Sequence, residues 1–414
     1  MFEETCSRPL PVRARFAILM GVFAIAVGYG IILPMLPFLI ERLARTTDAT
    51  TLSGHTGLLS GIYAIALFLF APLWGKISDQ HGRRPVILLG LIGFAGSLGL
   101  FVLVQNLPAL YFGRFLAGLF AAAVTPAAYA LICDHAPSEE WRAHRFALIN
   151  IAGGAGSFVG PMIGGMVLGA TTGLLTERAE ETFVAGFLAA VVLTLLGASA
   201  VWSLVPDTIE QNDVRAKKAE RGGEWSLVLR LWFIVFVTAA AVGAFEVGLS
   251  LRGKQTLGMD KFQVGMMFTE CGLVMFVVQG MVLSPLIKPQ ITRWLLAPAL
   301  LMLAVGLVLV PLASSHIAVI IDIALVAAGA GAIFPIVTYW VSFHAGQTRG
   351  ANLGRVTGAA SLGQALGSTT SGLLFDVSIL PNAAFAVAII IVIAGIAATL
   401  GLPRMLAGLM GRAD

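Results

Sequence analysis

Three carboxylic acids interrupt long apolar stretches of the sequence and are the first candidates for chemistry. Glu246, Glu270 and Asp322 each lie within a run of mainly aliphatic residues. Acids in such surroundings are costly to ionise, and they commonly act as proton carriers or line ion pathways. We favour Glu270, the deepest of the three, as a carrier that is reversibly protonated. Glu246 and Asp322 stand nearer the ends of their runs, where a solvated helix end is the alternative interpretation.

A single arginine, Arg114, interrupts another apolar run. Placing an arginine at the centre of a membrane helix costs about 2.5–3.5 kcal/mol, so we expect it to face a cavity or a partner. Aromatic side chains recur on the runs around it, and such surfaces suit bulky lipophilic or cationic ligands. The candidates for lining a substrate cavity are Tyr29, Tyr129, Phe245, Phe334 and Tyr339. Ordinary helix packing is the alternative for each of them.

Membrane helices must position these residues. The chain has 414 residues, of which 58% are hydrophobic and 12% charged, whereas soluble domains are about 25% charged. A bilayer-spanning helix needs about 20 apolar residues. Such runs occur at 16–43, 56–78, 85–105, 108–134, 143–170, 182–204, 226–251, 261–284, 291–312, 316–343, 352–375 and 379–402. The predicted fold is therefore an all-α polytopic membrane protein with twelve transmembrane helices.

The longest polar stretch divides the twelve runs into six and six. We expect a cytoplasmic linker over 206–225, an N-terminal six-helix bundle over 1–205 and a C-terminal six-helix bundle over 226–414. The two halves also share residues at a common offset of 209. Pro126 then matches Pro335. Duplicated halves of this kind are typical of transporters that bind substrate at the membrane midplane.

Charge placement predicts the orientation and excludes several classes of protein. Most of the 26 Lys and Arg residues, and all seven Trp, fall on one side if both termini are cytoplasmic, as the positive-inside bias requires. The net charge is +4, but the Lys and Arg residues are scattered and form no basic stripe. This distribution argues against nucleic-acid binding. The His and Cys residues lack metal-ligand spacing, and no nucleotide-binding motif occurs. We expect an inner-membrane or plasma-membrane protein without metal, cofactor or enzymatic activity.

The loop between the second and third runs has a distinctive spacing. It reads Gly75-Lys76-Ile77-Ser78-Asp79-Gln80-His81-Gly82-Arg83-Arg84-Pro85. Gly75 would permit close helix approach, and Gly82 a tight turn at positive φ. Asp79 can pair with Arg83 or Arg84.

This loop resembles the signature between the second and third helices of the major facilitator superfamily. The resemblance implies a conformational latch that stabilises the outward-facing state, formed by Gly75, Asp79, Gly82, Arg83 and Arg84. Asp134, at the end of the fourth run, sits where the family keeps a further latch acid. The equivalent loop of the second half, 284–294, lacks the Gly and Asp positions, so its latch is predicted to be degenerate.

Two helices extend the resemblance to the drug:proton antiporter branch. Arg114 begins a segment similar to the family's R-x-x-x-G-x-x-A-A helix. The fifth run carries the antiporter pattern G-x-x-x-G-P-x-x-G-G, whose glycines would allow close packing and whose proline would kink the helix. Its positions are Gly156, Gly160, Pro161, Gly164 and Gly165. One departure is that many such antiporters carry an acid within the first helix, whereas 16–40 contains none.

The resemblance implies a proton-coupled antiporter that exports a small amphiphilic or drug-like compound by rocker-switch alternating access. Its partners would be the small-molecule substrate, protons and membrane lipids, and we expect a monomer. One alternative is a symporter or an exporter of an anionic metabolite, siderophore or lipid-like molecule, with Arg114 as the anion contact. Another is a transporter-like receptor or assembly factor that moves no substrate.

Overall fold

A computed structural model describes residues 10–137, 139–174, 179–206, 225–284, 289–313, 315–344, 349–375 and 382–410. All regular structure within these ranges is helical, which confirms the all-α class. The helices are α1 (Val12–Ala44), α2 (Ala49–His81), α3 (Arg83–Leu103), α4 (Leu107–Asp134), α5 (Glu139–Leu174), α6 (Ala179–Leu204), α7 (Trp225–Leu251), α8 (Lys261–Val282), α9 (Pro289–Leu309), α10 (His316–His344), α11 (Arg349–Leu374), α12 (Ala383–Ala398) and α13 (Leu402–Met410). A π-helical turn, Arg252–Thr256, continues α7, and a 3-10 turn, Val310–Leu312, continues α9.

Within the described ranges, ten helices, α1 to α10, are long and apolar enough to cross a bilayer. The protein is therefore a multi-pass membrane protein. Helix α12 has only 16 described residues, and α11 is rich in Gly, Ser and Thr. Small residues on α11 let its backbone lie close to neighbours on two sides: a Cβ on Gly363 would overlap the backbone of Phe236 on α7, and one on Gly372 would overlap Gly57 on α2. Close packing thus accounts for the low hydropathy of α11.

Helix α2 begins seven residues before the predicted run because a polar cap supports its first turns. Asp48 is the N-cap, and its carboxylate accepts a hydrogen bond from the backbone N–H of Thr51 at 2.7 Å. Such caps satisfy donors that would otherwise be left free at a helix start. Hydropathy alone does not detect this polar extension.

The packing pattern of the first six helices recurs among the next six. Helix α1 packs against α5 and α6, while α3 packs against α4 and α6. In the same way α7 packs against α11 and α12, and α9 packs against α10 and α12. We call α1–α6 the first six helices and α7–α12 the second six. The main contacts between these two sets are α2 with α11 and α5 with α8. Residues 207–224 of the predicted linker lie outside the described residues.

The glycines of the predicted antiporter pattern bring α5 against α1. A Cβ on Gly156 would lie 2.6 Å from the Cβ of Ala26, and one on Gly160 would lie 2.5 Å from the carbonyl oxygen of Val27. The close-packing prediction is confirmed for these two positions. Gly164 has more room, since its nearest neighbour would be 3.6 Å away.

The proline of the same pattern also contacts α1. Pro161 lies within α5, and a Cβ on Gly30 would come within 2.8 Å of its Cδ. Gly30 therefore has to be small for α1 to pass Pro161. Gly165 lies on α5 as predicted, but its side-chain surroundings fall outside what the structure describes.

We expect Gly160→Leu to destabilise the protein, because its side chain would push α1 away from α5. Overpacking of this kind typically costs about 1–3 kcal/mol. Gly164→Ala is the matched control on the same helix face, and it should leave stability nearly unchanged. The measurement is the melting temperature of each purified protein in detergent. Equal melting temperatures for Gly160→Leu and wild type would contradict the close-packing interpretation.

Candidate functional site

A cavity lies between the first and second six helices. We call the end of the bundle that carries Asp79 and Asp134 the latch end, and the opposite end the Glu41 end. The cavity has a mouth of about 670 Å³ at the latch end and an inner chamber of about 390 Å³. Both compartments are lined by Tyr129 and Thr357, where they meet. Volumes of 300–1,000 Å³ are typical of sites for small organic molecules.

Aromatic and uncharged polar side chains line the inner chamber. No Asp, Glu, Lys or Arg belongs to its wall as far as the structure describes it. The mouth, in contrast, carries charges of both signs. The principal side chains of the chamber are Tyr29, Tyr63, Tyr129, Asn150, Gln279, Phe334 and Gln364.

Three of the five aromatic residues predicted for the cavity line it, namely Tyr29, Tyr129 and Phe334. The other two lie elsewhere. Phe245 is 1% exposed and packs inside the second six helices beside a void of about 10 Å³. Tyr339 packs edge-on against Trp340, with ring centroids 5.4 Å apart. Both residues therefore contribute to helix packing in this conformation.

A hydrogen-bonded cluster joins the two sets of helices beside the chamber. The Tyr29 hydroxyl on α1 donates to Oε2 of Glu246 on α7 at 3.0 Å. The Gln364 amide on α11 donates to the Tyr29 hydroxyl at 2.8 Å and to the same carboxylate oxygen at 3.3 Å. Glu246 is thus not a solvated helix end. Sequence reasoning missed Gln364, because an uncharged side chain in a Gly-rich helix gives no signal.

Arg114 is fully buried behind two tyrosines of the chamber wall. Its Nε donates to the carbonyl oxygen of Leu59 at 3.1 Å, and its guanidinium lies 4.7 Å from the ring centre of Tyr63 and 5.9 Å from that of Tyr29. Both terminal nitrogens lack a hydrogen-bond partner among the described residues. The expected partner of Arg114 is therefore aromatic. Tyr29 contacts Arg114 through its ring and Glu246 through its hydroxyl.

The other two predicted acids occupy different settings. Glu270 is partly exposed on α8, and no hydrogen bond or ion pair from it to another described residue is found. Asp322 is 4% exposed within the second six helices, beside the same small void as Arg252. The Arg252 guanidinium donates to the carbonyl oxygens of Pro311 and Ala313, at 3.2 and 2.7 Å.

Contacts between the two sets of helices close the Glu41 end. Lys254, in the π-helical turn after α7, forms an ion pair with Glu41 of α1. The same ammonium group donates to the carbonyl oxygen of Pro37 at 3.1 Å. Gln255 donates to the carbonyl oxygen of Ala49 on α2 at 3.3 Å. Single π-helical turns frequently occur at functional positions, and this one carries the closing contacts.

The predicted latch residues interact within the first six helices. Asp79 forms an ion pair with Arg83, and Arg83 Nε donates to Oδ2 of Asp134 at 3.0 Å. Gly82 has φ of +93°, which confirms the turn at positive φ. Arg84 donates to the carbonyl oxygen of Trp202, and its guanidinium lies 5.1 Å from that indole ring.

Gly75 makes no close helix contact in this conformation. A Cβ built there meets nothing within 4 Å, and Gly75 lines the mouth of the cavity. The reason is that α2 and α11 diverge towards the latch end. Nearer the Glu41 end the same two helices touch, since a Cβ on Gly57 would lie 2.6 Å from Cα of Gly372.

A helical membrane protein whose two repeated sets of helices enclose a cavity closed at one end has the architecture of an alternating-access transporter. The model of the Major Facilitator Superfamily matches residues 18–347, and the chain belongs to this superfamily. The superfamily consists of transporters, so the protein is a membrane transporter and not an enzyme.

Relatives and solved structures agree with this assignment. The chain is 29% identical over 362 residues, 86% of each protein, to the tetracycline resistance protein, class E, of Escherichia coli. It is 24% identical over 368 residues to the quinolone resistance protein NorA of Staphylococcus aureus, covering 88% of this chain and 90% of NorA. The crystal structure of the human organic anion transporter MFSD10 (TETRAN) has the same fold. Its TM-score is 0.71 at 21% identity, over 94% of this chain and 99% of that structure.

Asp79→Asn should slow transport while leaving ligand affinity almost unchanged, because Asp79 orients Arg83 but lies outside the inner chamber. The rate is measured in proteoliposomes, and the affinity in detergent with an uncharged fluorescent probe such as Nile red. Ser78→Ala is the control, since it removes only neutral contacts of the hydroxyl, one from Arg83 at 2.7 Å and one to the carbonyl oxygen of Gly75 at 3.0 Å. An undiminished rate for Asp79→Asn at equal protein density would refute the latch assignment.

Lys254→Met should loosen the Glu41 end by removing the ion pair with Glu41. With spin labels at Thr47 and Phe262 in a cysteine-free background, we expect a longer inter-label distance to become populated. Exchanging the charges, with Lys254→Glu and Glu41→Lys together, should restore the short distance. If the distance distribution of Lys254→Met equals that of wild type, the ion pair does not hold this end closed.

Proposed function

We propose that the protein is a proton-coupled antiporter that exports a small amphiphilic or drug-like compound by rocker-switch alternating access. It would reside in the cell (inner) membrane with both termini in the cytoplasm, so that the latch end faces the cytoplasm. We further propose that α11 and α12 complete twelve spans in two bundles, 1–205 and 226–414, joined by the linker. The names of the tetracycline and quinolone resistance relatives support a drug-like substrate.

The divergence of α2 and α11 towards the latch end supports the rocker-switch mechanism. Small residues form the contacts between the two sets, at Gly57 with Gly372 and at Gly272 with the backbone of Phe158. Small residues let the two backbones approach closely, and an interface without interlocking side chains offers little steric resistance when the helices tilt. In the proposed cycle the Lys254–Glu41 ion pair breaks, and the mouth at the latch end closes around Gly75.

The single observation that carries the proton-coupling proposal is the Tyr29–Glu246–Gln364 cluster. Both neighbours donate to Oε2 of Glu246. An ionised carboxylate only accepts hydrogen bonds, whereas a protonated one also donates. Protonation of Glu246 would therefore weaken its contact with Tyr29, which joins α1 to α7 across the two sets of helices. A proton bound there would alter the interface that has to move.

This contact set leads us to propose Glu246, rather than Glu270, as the principal proton carrier. Glu270 is on a helix that faces the other set, but no described group bonds to it. Its protonation would therefore change no contact between the two sets. Glu270 and Asp322 remain secondary candidates for the proton.

Export of an anionic metabolite is the second candidate function, and the two unpartnered nitrogens of Arg114 favour it. A guanidinium with free donors is a suitable anion contact. However, Arg114 lies behind Tyr29 and Tyr63 and does not border the chamber. An anion would reach it only after both rings had moved, and antiport of an uncharged or cationic compound is therefore our first choice.

Glu246→Gln should abolish proton-driven transport but still permit substrate exchange without a pH gradient. We would reconstitute the protein in liposomes and follow ethidium, fluorescein and Nile red, a cationic, an anionic and an uncharged probe. Glu270→Gln and Asp322→Asn are the matched controls and should retain a response to the gradient. An inactive Glu270→Gln with an active Glu246→Gln would move the carrier role to α8. Wild-type transport that ignores the gradient for every probe would refute antiport.

A further inference from the structure

We propose that the inner chamber selects uncharged, flat compounds that carry a primary carboxamide or an equivalent edge with one hydrogen-bond acceptor and one donor. Asn150 of α5 and Gln279 of α8 would bind this edge from the two sides of the interface. The inference rests on the proposed export function and specifies its substrate.

Gln279 provides an unsatisfied acceptor at the chamber wall. Its side chain lines the chamber and is 8% exposed. Its Oε1 is buried without a hydrogen-bond partner in the described part of the chain. A Cβ on Gly154 would lie 2.7 Å from this oxygen, so glycine at 154 leaves the space that the amide occupies. Buried amides are rarely left unpaired, and a bound N–H donor would satisfy Gln279.

Asn150 provides the complementary donor. Its Oδ1 accepts a hydrogen bond from the Tyr129 hydroxyl at 2.8 Å, which fixes the orientation of the amide and leaves Nδ2 to donate. Asn150 and Gly154 are four residues apart on α5, so they share a helix face and lie about 6 Å apart along the helix axis. A ligand carboxamide between them would accept from Asn150 Nδ2 and donate to Gln279 Oε1.

The chamber's surroundings disfavour charged ligands. Its described wall has no ionised side chain, and an ion moved into such a site loses its hydration without gaining an oppositely charged partner. Glu246 is engaged by Tyr29 and Gln364, and Arg114 is screened by Tyr29 and Tyr63. The aromatic rings of Tyr129 and Phe334 provide apolar surface for a flat body.

A charge series on one fluorophore tests this selectivity. We would measure the binding of 7-diethylaminocoumarin-3-carboxamide, of the corresponding 3-carboxylate and of a trimethylammonium-tagged amide. Fluorescence anisotropy with purified protein in detergent needs neither a membrane nor a pH gradient. The uncharged carboxamide should bind at least about tenfold more tightly than either ion. Tighter binding of the carboxylate or of the ammonium compound would overturn the proposal.

Variants then test the two amides directly. Gln279→Leu should weaken carboxamide binding about tenfold, the effect of losing a buried hydrogen bond. The N,N-dimethyl analogue lacks the N–H donor, so its weaker binding should not change in Gln279→Leu. Gln263→Leu is the matched control, because Gln263 lies on the same helix but bonds the backbone N–H of Asp260 at the Glu41 end. Equal losses for both analogues would refute the assigned contact.

Two further results keep the test decisive. If Gln279→Leu fails to fold, Gln279→Glu preserves the shape of the side chain and should shift preference towards the ammonium compound; unchanged preference would count against the proposal. Asn150→Asp should weaken carboxamide binding, because a carboxylate cannot donate.

Selective carboxamide binding by a protein that ignores the pH gradient would refute antiport and leave this site standing. Transport of charged probes alone, driven by the pH gradient, would support antiport and refute this site.

Discussion

A carboxylate in a low-dielectric interface has to be hydrogen-bonded or protonated, and this constraint on Glu246 governs the centre of the molecule. Its two donors come from different elements, Tyr29 on α1 and Gln364 on α11. The bond from Tyr29 holds the first six helices against the second six, whereas the bond from Gln364 lies within the second six. Glu246 does not belong to the described wall of the chamber, which carries no charged side chain.

The remainder of the architecture lets that interface open at one end and close at the other. Contacts between backbones require glycine where helices cross, as at Gly57 and Gly372, and the crossing lies towards the Glu41 end. Beyond the crossing, α2 and α11 separate to form the mouth. The ion pair from the π-helical turn to Glu41 adds a second contact on the closed side. The ion pairs of the latch, from Arg83 to Asp79 and Asp134, lie within the first six helices and do not bridge the mouth.

Features that depend on local chemistry could be predicted from the sequence. Hydropathy located ten helices that can span a bilayer, α1 to α10, and the glycine spacing on α5 predicted its close packing against α1 at Gly156 and Gly160. The turn at Gly82 followed from its place in a short charged loop. In each case the signal lies in neighbouring residues along the chain.

Features that depend on contacts between distant helices could not be predicted in this way. Glu246 and Gln364 are 118 residues apart, and Lys254 and Glu41 are 213 apart. Depth along a helix placed Glu246 near an end, but depth does not reveal what another helix brings beside it. The surroundings of Gly75 could not be predicted for the same reason, because the space around a small residue depends on the tilt of the facing helix. An alternating-access protein must change that tilt, so no single packing environment is encoded locally.

The first helix contains no acid over 16–40, and its contact with Glu246 is made by a tyrosine. Drug:proton antiporters that resemble this chain often carry an acid there, and α1 carries Tyr29 instead. The Tyr29 hydroxyl donates to Glu246 on the opposite set of helices. A polar contact between α1 and α7 therefore exists, but the acid lies on α7 and not on α1. A phenol remains neutral whether or not the acid is ionised, so α1 senses the proton only through a hydrogen bond. In the proposed cycle the bond from Tyr29 to Glu246 then depends on the proton, while Arg114 stays against the tyrosine ring. Proton binding and the separation of α1 from α7 would become one event, with no second acid required in the first six helices.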